Sequence, residues 1–254
     1  MLFEKKKIPC FVLIFDQVAI IKKTLEFLAT YKDRLDVIAL ENPSDNTPEI
    51  KKIVDALGAT GGIKRHYLFD KNITSAVFTA AIKNEAEAVR KNPYVVVTDG
   101  DVVVTNDDWL KEEMRVIKKH DDVFAIGTTL DKQNLPLETF PEAGGWIPED
   151  IAEHRDYFEV NTGAHLLLLR GQELLDFVVW KDEHNLQFVD GALHRYAAEV
   201  LHKKWARTKH AKAYHLTWDL YFDRNHPYTK MKLDKGFKAI WHHSDTAGYK
   251  ITEY

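Results

Sequence analysis

An α/β fold, with a mainly parallel central sheet flanked by helices, is predicted by three observations. Through the first hundred residues, apolar runs of strand length alternate with segments whose apolar residues recur at helical spacing. The alternation has the spacing of βαβ units, which build parallel sheets. Polar turn residues follow each run, where ligands of such sheets bind, beyond the carboxyl ends of the strands.

The elements follow in order. Cys10–Phe15 is a continuous apolar run, and Ile21, Leu25, Leu28 and Tyr31 then mark a helix. Asp36–Leu40 reads as a second strand. Thr47 and Pro48 read as the N-cap and first residue of a helix whose apolar face is Ile50, Ile53, Val54 and Leu57, with Gly58 as its stop. Lys64–Phe69 is a third strand, Ser75–Arg90 an alanine-rich helix and Tyr94–Thr98 a fourth strand. Beyond residue 105 the pattern loosens. Leu130–Asp156 contains Pro136, Pro141, Gly144, Gly145 and Pro148, and a loop of this length is expected to be functional or mobile. Leu166–Leu169 reads as a strand, Gly171–Trp180 and Gly191–Lys203 as helices, and Ala211–Leu216 as a strand. The tail from Thr217 to Tyr254 is aromatic and basic without a clear period. One domain with an irregular C-terminal extension is expected.

Composition bounds the function. Lys plus Arg number 35 against 39 Asp plus Glu, a net charge of −4. That balance argues against a nucleic-acid partner, which demands a basic face. The one cysteine, Cys10, rules out an intrachain disulfide and fits a reducing, cytoplasmic setting. No uncharged apolar run reaches the roughly 18–20 residues of a membrane span. Lys5, Lys6 and Lys7 leave peripheral contact with a membrane surface open.

The most informative segment is Val95–Val104, in which Asp99-Gly100-Asp101 stands between two valine runs. Two carboxylates at the edge of a buried sheet repel each other, and a divalent cation removes the repulsion. Carboxylate oxygens suit Mg²⁺ or Mn²⁺, which can then bridge to phosphate. The competing reading is a plain hairpin turn, for which Asp-Gly is a standard pair.

This segment resembles the DxD motif of GT-A-fold glycosyltransferases, specifically the family 2-like inverting enzymes, and the resemblance extends from residue 10 to about 216. Phe15-Asp16 stands where that family often has Tyr-Asn. Ile38–Asn46 is similar to its second-strand motif, with Glu41 in place of Asp. Asp70-Lys71-Asn72 matches its Asn-containing loop, with Thr74 where the family has Gly. Asn161–Leu166 resembles the strand under the acceptor site. Phe188–Leu193 resembles the motif in which an Asp follows a Glu, with Val189 replacing the Glu. Tyr214-His215-Leu216 resembles the late Tyr-His segment.

The resemblance implies a nucleotide-sugar half at about 8–105, an acceptor-side half at about 106–216 and an extension at 217–254. It implies that Phe15, Asp16, Glu41, Asn72, Asp99, Gly100 and Asp101 bind the donor, with Glu41 on the base or ribose. It implies Mn²⁺ or Mg²⁺ on Asp99 and Asp101, with His215 near the metal and His242 a weaker competitor. The implied donor is a nucleoside-diphosphate sugar, a UDP-sugar favoured, and the implied acceptor is a carbohydrate or glycoconjugate. Asp190 is the implied general base. Its placement before a helix also allows a plain N-cap, and the two roles are compatible because a helix N-terminus favours the ionised carboxylate. Glu159 and Asp156 are the fallback bases. Trp146 in the long loop is read either as a sugar-stacking ring or as a core aromatic. Trp218, Tyr221, Phe222, Arg224 and Lys230 could close over the diphosphate or simply cover the sheet. A sugar-nucleotide pyrophosphorylase needs a glycine-rich N-terminal loop, and residues 10–20 contain no glycine. A non-catalytic nucleotide-sugar- or glycan-binding domain of the same fold remains the alternative.

Overall fold

A computed structural model describes residues 6–106, 108–147, 149–161, 165–234 and 246–254. The chain alternates at first as its periodicity predicts: β1 (Ile8–Ile14), α1 (Val18–Ala29), β2 (Leu35–Glu41), α2 (Thr47–Gly58), β3 (Arg65–Phe69), α3 (Ala76–Asn84), α4 (Ala86–Arg90) and β4 (Tyr94–Asp99). There follow β5 (Val102–Val104), α5 (Trp109–Lys119), β6 (Val123–Leu130), β7 (Asp150–Glu153), β8 (Phe158–Val160), β9 (His165–Arg170), α6 (Gly171–Glu183) and α7 (Asp190–Arg195). The last elements are β10 (Lys204–His215), α8 (Pro227–Asp234) and β11 (Tyr249–Glu253).

All eleven strands join one sheet, in the order β11-β3-β2-β1-β4-β9-β6-β10-β8-β7, with β5 pairing β10 off this path. Strands β3, β2, β1 and β4 are parallel, as βαβ units require. The sheet as a whole is mixed rather than mainly parallel. β9 runs antiparallel to both β4 and β6, and β10, although parallel to β6, is antiparallel to β8 and β5. β9 follows the strand β8 and not a crossover helix, so nothing forces it parallel.

Side chains alternate across the central strands and build two cores. Phe11, Ile38, Leu40, Val95, Val97, Leu167 and Leu169 face α3, α4, α6 and α7. Cys10, Val12, Val37, Ala39, Val96, Leu166 and Leu168 face α1, α2 and α5. Burial on both faces explains why these strands read as unbroken apolar runs. Each such side chain contributes roughly 1.5–3 kcal/mol by leaving water. A third, smaller core forms where Phe140, Ala143 and Ile147 meet Trp218 and Tyr221.

Several sequence expectations shift. Asn46, not Thr47, stands at the N-cap of α2, and the Thr47 hydroxyl instead accepts from the Ser44 N–H at 3.0 Å. The alanine-rich helix is broken at Glu85, whose carboxylate accepts from Arg65 and from the Tyr67 hydroxyl, both at 2.5 Å. The long loop holds a 3₁₀ turn at Pro141–Gly145 and the strand β7; Pro148 lies outside the described residues. The tail is less irregular than expected, since 216–222 forms a 3₁₀ turn, α8 follows, and β11 lies antiparallel on β3.

Candidate functional site

Four strands end at one rim. β1 and β4 are paired with Leu13 beside Asp99, so the loops after β1, β2, β3 and β4 converge on it. A cleft of about 630 Å³ opens there. The Asp99-Gly100-Asp101 turn forms part of its floor. It is not a hairpin. β4 pairs with β1 and β9, whereas β5 leaves to pair antiparallel with β10, which puts Val102 opposite His215. A Cβ at Gly100 would lie 2.6 Å from the Leu13 carbonyl oxygen and 2.8 Å from Ile14 Cγ2. Only glycine lets this turn press against β1.

Asp101 is held from two sides. Its carbonyl accepts from the Leu216 N–H at 2.7 Å, and its Oδ2 accepts from the Thr217 hydroxyl at 2.8 Å. The His215 Nδ1 stands 3.6 Å from the same oxygen. Asp101 Oδ1 is buried with no hydrogen-bond partner among the described residues. Such an orphan costs about 1–3 kcal/mol unless something fills it. Asp99 is reached by solvent but sits in a concavity walled by protein. That enclosure, with repulsion from Asp101, raises its pKa; enclosure likewise raises that of Asp101, against the pull of His165 and Thr217.

His215 lies flat on the Trp218 ring, 4.8 Å between centroids, and meets His165 edge-on at 4.9 Å. Burial first, then the charge of Lys232, pushes His215 down to about 3; burial, then His215, pushes His165 down to about 4. Both are therefore neutral imidazoles near pH 7. His165 Nδ1 is likewise buried without a partner among the described residues.

These groups fit a divalent cation of a particular kind. Among the described residues no three His, Cys, Asp or Glu side chains form a ready-made set. Mg²⁺ and Mn²⁺ do not need one, because they are commonly held by one or two carboxylates while phosphate oxygens and waters complete the shell. Asp99, and Asp101 through its orphaned oxygen, would supply those carboxylates. His242 lies outside the described residues.

Other expected residues divide. Phe15, Asn72 and Gly100 line the cleft. Asp16 does not: in a left-handed conformation (φ 65°), it accepts from Asn46 and Gln17. Glu41 is fully buried and bonds His66 Nε2 at 2.8 Å, away from the lining; its neighbour Asn42 reaches the cleft instead. The reason is strand alternation, since Glu41 shares the face of Val37 and Ala39. Thr74 adopts φ 52°, a left-handed backbone that a β-branched residue rarely takes.

Val189, not Asp190, stands at the N-cap of α7, so the plain capping reading of Asp190 falls. Asp190 is the first residue of the helix, beside the cleft-lining Val189. Solvent reaches it, yet the surrounding protein and then the Asp99 charge push its pKa up to about 7. Asp156 is bound by Arg115, Lys119 and His120, and Glu159 by His154, so both fallback bases are occupied elsewhere. Trp146 both lines the cleft and packs on Trp218 and Tyr221, with centroids 6.0 and 5.7 Å away. His165, Gln187, Thr217, Tyr228 and Lys232 also line the cleft and were not singled out from the sequence. The tail's lack of period hid the last two. Thr162, Gly163 and Ala164 of the acceptor-side motif lie outside the described residues.

No protein-family model matches the chain. It is 42% identical over 254 residues to "Uncharacterized protein L142" of Acanthamoeba polyphaga mimivirus, an alignment covering 98% of this chain and 51% of that protein. The chain thus spans about half the length of that relative. Among solved structures, the mannosyltransferase PcManGT from Pyrobaculum calidifontis, in complex with GDP-Man and Mn²⁺, is similar with a TM-score of 0.52. The identity is 14%, over 84% of this chain and 58% of that one. GalNAc-T7 with UDP, GalNAc and Mn²⁺ is similar with a TM-score of 0.54 at 8% identity, over 91% of this chain and 54% of that one. The chain has a GT-A-type, Rossmann-like fold. No helix among the described residues is long and apolar enough to cross a membrane.

Proposed function

We propose that this GT-A-fold chain is a metal-dependent glycosyltransferase that moves a sugar from a nucleoside-diphosphate sugar to a hydroxyl of a carbohydrate or glycoconjugate, inverting the anomeric centre. One observation carries the reading: at the carboxyl rim of the parallel strands, Asp101 presents a buried, unpartnered oxygen beside Asp99 on the floor of a cleft. The metal and nucleotide named with the two similar structures support it.

In this reading residues of about 8–105 hold the donor, a UDP-sugar favoured, through Phe15, Asn72 and the Asp99–Asp101 turn. Residues of about 106–216 carry the acceptor side, and Trp218, Tyr221, Tyr228 and Lys232 of the extension at 217–254 line the cleft. A divalent cation, Mn²⁺ or Mg²⁺, on Asp99 and Asp101 supplies positive charge against the leaving diphosphate. Asp190 takes the proton of the acceptor hydroxyl as that oxygen bonds to the anomeric carbon. The bond from that carbon to the diphosphate breaks, its electron pair going to the β-phosphate oxygen. The protein supplies position and charge rather than covalent chemistry. A buried Cys10, alone of its kind, supports a cytoplasmic setting.

Thermal unfolding in a panel of nucleotide sugars, with and without Mn²⁺, tests the proposal. One donor should stabilise the wild type only with the metal, by about 2.7 kcal/mol at a hundredfold excess over Kd. Asp101→Ala should fold and lose that response. A wild type indifferent to every donor, or full transfer in excess chelator, would sink the reading. The Val189 departure favours a second reading, a binding domain without turnover; it predicts donor stabilisation with neither transfer nor donor hydrolysis.

A further inference from the structure

The charge on the cleft floor is balanced only in part by its own residues. Asp99 and Asp101 carry two negative charges, which a divalent cation offsets. A nucleoside diphosphate adds negative charge, and one more unit develops on it as the sugar departs. Among the described residues that line the cleft, one has a cationic side chain, Lys232.

Lys232 comes from α8, beyond the part of the sequence that resembles known enzymes. It is half-buried, and its Nζ lies 5.4 Å from the centroid of the Tyr228 ring on the same helix. Lys232 lines the same cleft as Asp99, Gly100 and Asp101. The two tail cations favoured from sequence are elsewhere. Arg224 donates to the Thr139 carbonyl and lies over the Phe140 ring, and Lys230 is exposed and outside the lining.

We propose that Lys232 binds the β-phosphate of the donor and neutralises the charge that collects there as the bond to the sugar breaks. The inference rests on the glycosyltransferase reading above and adds to it a specific group on the C-terminal helix. Lysine suits the task as a compact point charge on a flexible stem, which can follow the phosphate as the bond lengthens. An ammonium meeting an anionic oxygen is among the stronger hydrogen bonds.

Calorimetric titration of UDP, GDP, UMP and GMP in Mn²⁺ tests this with wild type, Lys232→Met and Lys232→Arg. Methionine keeps much of the apolar stem, so the packing on Tyr228 should survive. The diphosphate that binds wild type should bind Lys232→Met about tenfold more weakly, as loss of one charged hydrogen bond requires. Its monophosphate should change by no more than about twofold, and Lys232→Arg should recover most of the diphosphate affinity. In transfer assays kcat should fall in Lys232→Met even at saturating donor, because the charge is largest in the transition state. Equal weakening of mono- and diphosphate, or a diphosphate affinity unchanged in Lys232→Met, would overturn the role of Lys232 alone. A wild type that binds neither UDP nor GDP would instead overturn the glycosyltransferase reading on which it rests.

Discussion

Asp190, the proposed base, stands at a helix terminus. It opens α7 without capping it, and the enclosing protein and the Asp99 charge raise its pKa to about 7. A base must be ionised to accept a proton, so acceptor-side kcat/KM should fall as pH drops below that value and level off above it. A cation on Asp99 removes part of the repulsion, so raising Mn²⁺ should move the limb to lower pH. Asp190→Asn keeps the shape and should retain donor binding while losing roughly 10²–10⁴-fold in transfer. Turnover within a few-fold of wild type, or a product of retained configuration, would remove Asp190 from the mechanism. Asp99 and Asp101 stand out in the sequence as acids between two strand signals, whereas Asp190 was singled out through the family resemblance and its place before a helix. Glu41 was legible as an acid but not as a buried one. Its direction depends on which face of β2 it takes, and its partner, His66, comes from the neighbouring strand.

Periodicity missed β11, as it missed α5, β6, β7, β8 and α8. Only five residues long, β11 lies on the edge of the sheet, where its ladder to β3 and the pair between Arg65 and Glu253 hold it. The following Tyr254 packs its ring over Gly58, and its hydroxyl donates to Asp55 at 2.5 Å. A Cβ at position 58 would lie 2.3 Å from that ring, so Gly58 serves as a seat for the C-terminal residue as well as the last residue of α2. Gly58→Val should displace Tyr254. Amide exchange across residues 249–253 should then quicken while that of β1, β2 and β4 stays slow, since edge elements open locally. Uniformly faster exchange through the central strands would show instead that the substitution acts on α2 as a whole.

At the scale of the whole molecule, the long loop and the tail act on each other. Phe140, Ala143 and Ile147 share a core with Trp218 and Tyr221. Asn134 donates to the His215 carbonyl at 2.7 Å and Arg224 to that of Thr139 at 3.1 Å. Residues 130–147 and 216–234 therefore form one cover over the cleft, with Trp146 and Lys232 on its inner side. The composition of Leu130–Asp156 predicts mobility, and through the shared core the two segments should move together. Donor with Mn²⁺ should slow amide exchange in both at once, as closure excludes water from an activated sugar. Protection confined to one segment would mean that they close independently.

By itself the sequence determined the βαβ character of the first half, the positions of its strands and the acids at their ends. Those follow from local periodicity, and a strand buried on both faces announces itself in a few consecutive residues. It did not determine the antiparallel course of β9, the addition of β11 or the partner of β5, because pairing between distant strands leaves no local period. The tertiary structure alone decided that β5 turns away from β4 toward β10. That crossing carries His215 and Thr217 to Asp101, leaves one carboxylate oxygen buried without a partner, and brings Lys232 of a patternless tail into the same cleft. The physical reason is range: helix and strand signals span three or four residues, whereas a site at a sheet's rim is assembled from segments more than a hundred residues apart.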